Sequence, residues 1–157
     1  MARWSLARGP SGFGSPNTDA MALVIGRILL SLIFILSGVH KLFDFGQVSA
    51  GAAAEGLVAA NFFVVLALIV EIVCGLGLLF GFFARASAII LAIYLIPVTL
   101  VFHAFWNASG GEATAQFFNF WKNVAIAGGL LLVAFGPRAE SVGERPQGPA
   151  EIPAEPE

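Results

Sequence analysis

The run between positions 61 and 83, NFFVVLALIVEIVCGLGLLFGFF, constrains the fold more than any other part of the chain. Apart from Asn61 at its start it is apolar, with a single acid, Glu71, near its middle. A transmembrane helix needs about 20 consecutive apolar residues, because the hydrocarbon core of a bilayer is about 30 Å thick. A carboxylate at that depth is costly unless it faces protein or trapped water. The run therefore predicts a membrane-spanning helix in which Glu71 has a basic or hydrogen-bonding partner from elsewhere in the chain.

Three further apolar runs reach a similar length, at residues 21–41, 85–106 and 117–135. Of the 157 residues, 58% are hydrophobic and 11% are charged, whereas soluble domains contain about 25% charged residues. The length allows one compact domain. We therefore predict an all-α membrane protein, a bundle of four transmembrane helices.

The two ends of the chain differ from this apolar centre. Residues 1–19 and 137–157 lack apolar periodicity and contain Gly, Pro, Ser and Glu, which predicts disordered tails around a membrane domain at 20–136. Three good N-cap residues precede the first helix: Asn17, Thr18 and Asp19. A cleaved secretory signal is the alternative for the first run, but a signal core has about 7 to 15 residues, and this run is longer and contains Arg27.

The connection at residues 42–60, LFDFGQVSAGAAAEGLVAA, is too polar for another span. Its alanine-rich part is typical of a short helix at the membrane interface, where Phe43 and Phe45 suit a half-buried position. Such a helix either covers the mouth of the bundle or is a simple tether. The connection before the fourth span, NASGGEATAQ, is short and polar.

Basic residues indicate how the bundle is oriented. Those on one side of the predicted bundle are Arg3, Arg8, Arg85, Arg138 and Arg145. Only Lys41 and Lys122 fall on the other side. Because lysine and arginine in short loops remain cytoplasmic, both termini are predicted to be cytoplasmic.

Two charges inside the spans have compatible depths. Arg27 is about 10 Å from the inner end of its helix and Glu71 is about 15 Å from the outer end of its own, at 1.5 Å per residue. In a core of about 30 Å these levels differ by only about 5 Å. An Arg27–Glu71 ion pair is therefore allowed, and pairing of Glu71 with Lys122 is the alternative. Arg27 and Lys41 could instead extend to the headgroups on their two sides.

Most other polar side chains of the spans fall at the predicted outer end: His40, Lys41, His103, Gln116, Asn119, Lys122 and Asn123. With Glu71 at its floor, this cluster predicts an outward-facing polar site. We assign His103 and Glu71 as candidate catalytic residues: His103 would bind or protonate a ligand, and Glu71 with Arg27 would set the charge at the base of the site. The candidate ligand-binding residues are Arg27, His40, Lys41, Lys122 and Asn123. Packing or capping roles for these groups and a bis-histidine haem are the alternatives.

Charge and cysteine content argue against other classes of protein. A net charge of −2 without a basic patch gives no basis for nucleic-acid binding. The single cysteine, Cys74, excludes an intrachain disulfide and a thiol oxidoreductase that cycles its own cysteine pair. We expect Cys74 to be a packing residue. No metal site, haem-attachment motif or dinucleotide fingerprint is predicted.

Four stretches carry a family resemblance: GRILLSLIFILSGVHKL at 26–42, VEIVCGLGLLFGFFARASA at 70–88, VFH at 101–103 and FFNFWKNVAIAGGLLLV at 117–133. Their ordered features are Gly26-Arg27, Gly38-x-x-Lys41, Glu71, Gly81 with Arg85, His103 and Lys122-Asn123. Together they resemble the DoxX family of small bacterial membrane proteins over about residues 21–136. The resemblance implies a multi-pass protein of the bacterial cytoplasmic (inner) membrane. Relatives are described as the membrane subunit of a thiosulfate:quinone oxidoreductase or as part of a membrane oxidoreductase complex protecting against oxidative or thiol stress.

Two functional hypotheses follow. In the first, the chain is a component of a membrane oxidoreductase system whose polar site binds quinone or a small sulfur or thiol compound, quinone being the candidate cofactor. In the second, it is a non-enzymatic membrane module that binds or carries a lipid or small molecule, or is a scaffold for partner subunits. Proton-coupled transport is a third possibility. In each case the partners are the lipid bilayer and either other subunits or further copies of the chain.

Overall fold

The computed structural model describes residues 16–136, which form five α-helices and one 3₁₀ turn, with no strand among them. The helices are α1 Pro16–Phe43, α2 Phe45–Ala54, α3 Ala60–Phe80, α4 Ala84–Phe102 and α5 Gly110–Phe135, and the 3₁₀ turn is Phe105–Asn107. Within this part of the chain four helical segments are long and apolar enough to cross a membrane: Ala20–Phe43, Ala60–Phe80, Ala84–Asn107 and Gly110–Phe135. The prediction of an all-α fold with four transmembrane helices is confirmed.

Two helices begin earlier than the apolar pattern predicts. α5 begins at Gly110 rather than near 117, because the polar segment before Phe117 contains good helix formers and places Glu112 in the first turn, where the helix dipole favours an acid. α1 is already helical at Pro16, the first described residue. The residues predicted as N-caps, Asn17, Thr18 and Asp19, therefore lie inside the helix. Of the predicted tails, 1–19 and 137–157, residues 16–19 are helical and all the others lie outside the described residues.

The four spans form a ring in the order α1, α3, α4, α5. α4 packs against both α3 and α5. α1 closes the ring through Gly38, which lies against Ile72 of α3, and through Leu30, which lies against Gly129 of α5. All of these contacts belong to one compact unit, Val24–Gly136. The main core contains Phe34, Cys74, Leu78, Ala88, Leu91, Leu95, Leu130 and Ala134. Cys74 is thus in the position expected of a packing residue.

The connection between α1 and α3 contains the predicted short helix, α2. Its Ala52 packs with Ala60 and Val64 at the start of α3, and Phe102 at the end of α4 joins this second core. α2 therefore lies across the end of the bundle where α1 ends and α3 begins. This placement favours the covering role over the simple tether.

An aromatic cluster joins the 3₁₀ turn to α5. The ring of Phe105 makes edge-to-face contacts with Trp106, Phe117 and Phe120, at centroid distances of 5.1, 5.3 and 5.5 Å. Trp121 continues the cluster against Phe120. Such pairs each add about 0.5–1.5 kcal/mol beyond the area they bury. The cluster holds the first turns of α5 against the end of α4, where several candidate site residues lie.

The close contact of α1 with α3 requires glycine at position 38. A Cβ atom there would lie 2.8 Å from Cδ1 and Cγ1 of Ile72 and 3.4 Å from Cβ of Glu71. Gly38→Leu is expected to lower the free energy of unfolding by about 1–3 kcal/mol through overpacking. Gly128→Leu is the matched control, because nothing lies within 4 Å of a Cβ at Gly128. Thermal unfolding followed with a thiol-reactive fluorophore measures both variants, since Cys74 is buried and is the chain's one cysteine. Equal midpoints for the two variants would contradict the packing argument.

The cytoplasmic placement of both termini stays a prediction from the distribution of basic residues. Fusing alkaline phosphatase, which is active only outside the cytoplasm, to the C-terminus should give an inactive enzyme, whereas fusing green fluorescent protein there should give fluorescence. The same reporters inserted in the loop between α4 and α5 should give the opposite pattern. A phosphatase-active C-terminal fusion would reverse the orientation.

Candidate functional site

Glu71 is buried in the middle of α3, with 3% of its surface exposed, and Lys41 of α1 is its basic partner. Lys41 Nζ donates to Glu71 Oε1 at 3.0 Å and to Oε2 at 2.9 Å. Two hydroxyl groups also donate to Oε1: Tyr94 of α4 at 2.7 Å and Ser37 of α1 at 3.2 Å. The prediction that Glu71 has a basic or hydrogen-bonding partner is therefore confirmed.

The network around Glu71 is closed. Lys41 Nζ makes a third hydrogen bond, to Ser37 Oγ at 2.8 Å, so its three donors all have acceptors. Ser37 and Lys41 are four residues apart on α1 and therefore share one face of that helix. A buried ion pair is stable only when its geometry is good and its remaining donors and acceptors are satisfied. This network meets both conditions and connects α1, α3 and α4.

The Arg27–Glu71 and Lys122–Glu71 pairs considered from sequence are both wrong. Arg27 lies beside Gly81, at the end of α3: its Nη1 atom is 3.3 Å from where a Cβ on Gly81 would lie. Glu71 is ten residues away along α3, which is about 15 Å of helix. The prediction compared only the distances of Arg27 and Glu71 from the ends of their helices, whereas pairing also depends on the register between α1 and α3. The Nε atom of Arg27 is buried and has no hydrogen-bond partner among the described residues.

His40 also lies away from the buried network. Its side chain is 66% exposed and its Nδ1 atom is 2.9 Å from Oδ2 of Asp44, the residue between α1 and α2. Although His40 is next to Lys41 in sequence, consecutive residues of a helix point about 100° apart. The structure therefore does not bring His40 together with the other predicted site residues.

A cavity of about 640 Å³ adjoins the network, within the range of about 300–1,000 Å³ that is typical of small-molecule sites. All four spans contribute to its walls, and α2 contributes Val48 and Ala52. The walls are mostly apolar. The polar or ionisable lining residues are Ser37, Lys41, Glu71, Tyr94, His103, Lys122 and Asn123. Five of the seven residues assigned from sequence thus line one cavity, and Arg27 and His40 do not.

A second set of polar side chains at the cavity comes from α5 and the end of α4. His103 Nδ1 is 2.8 Å from Gln116 Oε1; because an amide oxygen only accepts, Nδ1 is the donor of this hydrogen bond, and Nε2 is the ring nitrogen left for a ligand. Lys122 Nζ donates to Asn119 Oδ1 at 3.0 Å. Asn123 Nδ2 donates to Thr99 Oγ1 at 3.1 Å. Unlike the Glu71 network, this group retains unused donors and acceptors.

Sequence reasoning missed Ser37 and Tyr94. Tyr94 is the chain's one tyrosine, and a phenol in the middle of an apolar span normally has a hydrogen-bond partner. Ser37 lies one turn before Lys41. Both signals were present in the sequence. Among residues 16–136 no group of three or more His, Cys, Asp or Glu side chains is placed to hold a metal ion.

The fold and the site define a multi-pass membrane protein with an intramembrane ion pair beside a ligand-sized cavity. The family model named DoxX matches residues 22–104, and the chain belongs to the DoxX family. It is 33% identical to the inner membrane protein YphA of Escherichia coli over 124 residues, which cover 78% of this chain and 89% of the relative. It is 31% identical to the inner membrane protein YqjF of the same organism over 125 residues, covering 79% and 91%.

No solved structure matches the chain. The relatives and the four apolar helices confirm the expected location, the bacterial inner membrane. The resemblance seen in the sequence motifs is likewise confirmed.

Removing one member of the ion pair should be more damaging than removing both. Lys41→Met leaves Glu71 as an uncompensated buried charge and is expected to lower the free energy of unfolding by about 3–5 kcal/mol. Glu71→Gln should have a similar effect, whereas Lys41→Met combined with Glu71→Leu should lose less than the sum of the two single variants. The Cys74 unfolding assay measures each variant. Lys122→Met is the matched control, because Lys122 is exposed and bonded only to Asn119; equal losses for Lys41→Met and Lys122→Met would rule out a stabilising ion pair.

Proposed function

We propose that the chain is the quinone-binding component of a membrane oxidoreductase system, with the cavity as the site for the quinone head group. The observation that carries the proposal is the cavity itself: it lies within the spans, has apolar walls, and has polar groups concentrated near Glu71 and His103. Sites for small lipophilic ligands have this composition, because apolar walls supply affinity and a few polar groups set the orientation.

The charges of the cavity favour a neutral ligand over a small sulfur anion. The positive charge of Lys41 is compensated by Glu71 at 2.9 Å. Among the lining residues Lys122 is the other lysine or arginine; its partner Asn119 is neutral, so the cavity offers a single uncompensated ammonium group. An anion taken out of water into an apolar cavity needs close compensation by cations. A quinone needs only hydrogen-bond donors at its carbonyl oxygens, which an ammonium or amide N–H supplies.

The residues then have distinct roles. Lys122 and Asn123 donate to a carbonyl oxygen of the quinone, and Nε2 of His103 accepts a hydrogen bond from a hydroxyl group of the quinol form. Glu71 acts indirectly, by holding Lys41 and Tyr94 at the wall of the cavity. The electrons would pass to or from a partner subunit, since the chain has one cysteine and no dinucleotide fingerprint.

The closed network favours a second candidate, a non-enzymatic lipid-binding module. Every donor of Lys41 and the carboxylate of Glu71 are already bonded within the protein. In this case the ion pair has a structural role only, and the cavity holds an acyl chain of a phospholipid.

Binding of a benzoquinone to the purified protein in lipid nanodiscs distinguishes the two candidates. The wild-type protein should bind the quinone and its quinol saturably, and His103→Ala should weaken binding of the quinol about tenfold, because a quinol hydroxyl group loses its acceptor, Nε2 of His103. His40→Ala is the matched control, because His40 is exposed and lies outside the cavity. Native mass spectrometry of the protein released from the discs reports which molecule is bound. Bound phospholipid without displacement by quinone, or equal binding of the quinol by both histidine variants, would favour the non-enzymatic module.

A further inference from the structure

The cavity extends beyond the polar groups along the seam between α3 and α4. α3 contributes Phe63, Leu66, Ala67 and Val70 to its walls, and α4 contributes Tyr94, Pro97, Val98 and Val101. Except for Tyr94 these residues are apolar. The Tyr94 hydroxyl group belongs to the Glu71 network, so this residue lies where the polar end of the cavity meets the seam.

The register of the two helices places these residues opposite one another. α3 and α4 are joined by only Gly81, Phe82 and Phe83, so they run antiparallel, and residues equally distant from Phe82 lie at similar depth. Ala67 and Pro97 are each fifteen residues from Phe82, and Val70 and Tyr94 are each twelve. The hydrogen bond from Tyr94 to Glu71, next to Val70, agrees with this register.

Side-chain exposure shows that the seam reaches the outer surface of the bundle. Phe63 and Leu66 are 45% and 46% exposed, and Pro97 is also exposed, although all three lie within membrane-spanning segments. At the polar end Glu71 is 3% exposed. The residues that line the cavity therefore range from a buried ion pair to side chains exposed on the outside of the membrane-spanning segments. Ala67 and Pro97 are short side chains at the middle of the seam, where larger ones would close it.

We infer that the α3–α4 seam is a lateral entrance from the bilayer and holds the hydrocarbon tail of the ligand. The ligand is therefore an amphiphile with a long apolar tail, which stays in the membrane while its head group occupies the polar end of the cavity. This inference rests on the proposed function, because it takes the cavity to be a ligand site. It adds the route of access and the class of ligand: a membrane-dissolved quinone and not a water-soluble one.

Photochemical labelling of the wild-type protein tests the position of the tail. A benzoquinone with a diazirine in the middle of a ten-carbon tail is equilibrated with the protein in nanodiscs, irradiated, and mapped by peptide mass spectrometry. Adducts are expected on residues 63–70 and 94–101, and an excess of unlabelled long-tailed quinone should remove them. Competable adducts confined to α2, or to the part of α1 and α5 around Ile33 and Ile126, would overturn the inference.

Filling the seam tests its use as an entrance. Ala67→Trp is expected to weaken binding of the long-tailed quinone about tenfold or more, because the added ring occupies the space of the tail. Ala125→Trp is the matched control, since Ala125 is exposed on α5 and does not line the cavity. Ile33→Trp narrows the cavity from α1. A loss for Ile33→Trp without a loss for Ala67→Trp would place the entrance elsewhere, and equal binding by Ala67→Trp and Ala125→Trp would also overturn the inference.

A tailless benzoquinone separates this inference from the proposed function. Ala67→Trp should bind the tailless head group like the wild type while losing the long-tailed compound. If both compounds bind equally well to wild type and Ala67→Trp, the cavity is a quinone site but the seam is not its entrance. If the wild type binds neither compound saturably, the proposed function itself fails. The labelling experiment uses the wild-type protein, so the inference is tested even if Ala67→Trp does not fold.

Discussion

The ion pair between Lys41 and Glu71 is the interaction on which the arrangement of the bundle depends. Neither charge is stable in an apolar environment alone, because an isolated ion loses its hydration there. Here the carboxylate accepts from an ammonium group and two hydroxyl groups at 2.7 to 3.2 Å. The carboxylate and its donors come from three helices, so α1, α3 and α4 must approach one another at one level. Any rearrangement that separated them would leave an unpaired charge in the membrane.

Glycine makes this approach possible on the α1–α3 side. The backbone of Gly38 lies so close to Ile72 that a Cβ atom would be only 2.8 Å from its side chain, and Gly75 lies similarly close to Ile35. Small residues let membrane helices pack closely where no hydrophobic force brings them together. The two contacts also set the register, which places Lys41 near Glu71 and Arg27 beside Gly81. Packing and electrostatics thus select the same alignment of the two helices.

Much of this architecture could be predicted from the sequence, because length and hydropathy determine membrane spans almost directly. The need of Glu71 for a partner was also predictable, and five assigned residues do line one cavity. The identity of the partner was not, since it depends on the register between α1 and α3, which apolar patterns do not contain. His40 was misplaced because sequence proximity to Lys41 does not imply a shared helix face. The early start of α5 was missed because a polar segment can be helical where it leaves the membrane.

The polar groups that line the cavity are of two kinds, and the difference between them bears on function. Around Glu71 the donors and acceptors are matched within the protein, so a ligand there would have to break existing hydrogen bonds. Around His103 and Lys122 the second ring nitrogen and spare ammonium protons remain for a ligand. A head group is therefore oriented by α4 and α5, while the ion pair keeps the wall of the cavity in place. Substitutions at Glu71 should accordingly affect binding through stability, whereas those at His103 should affect binding in a protein that remains folded.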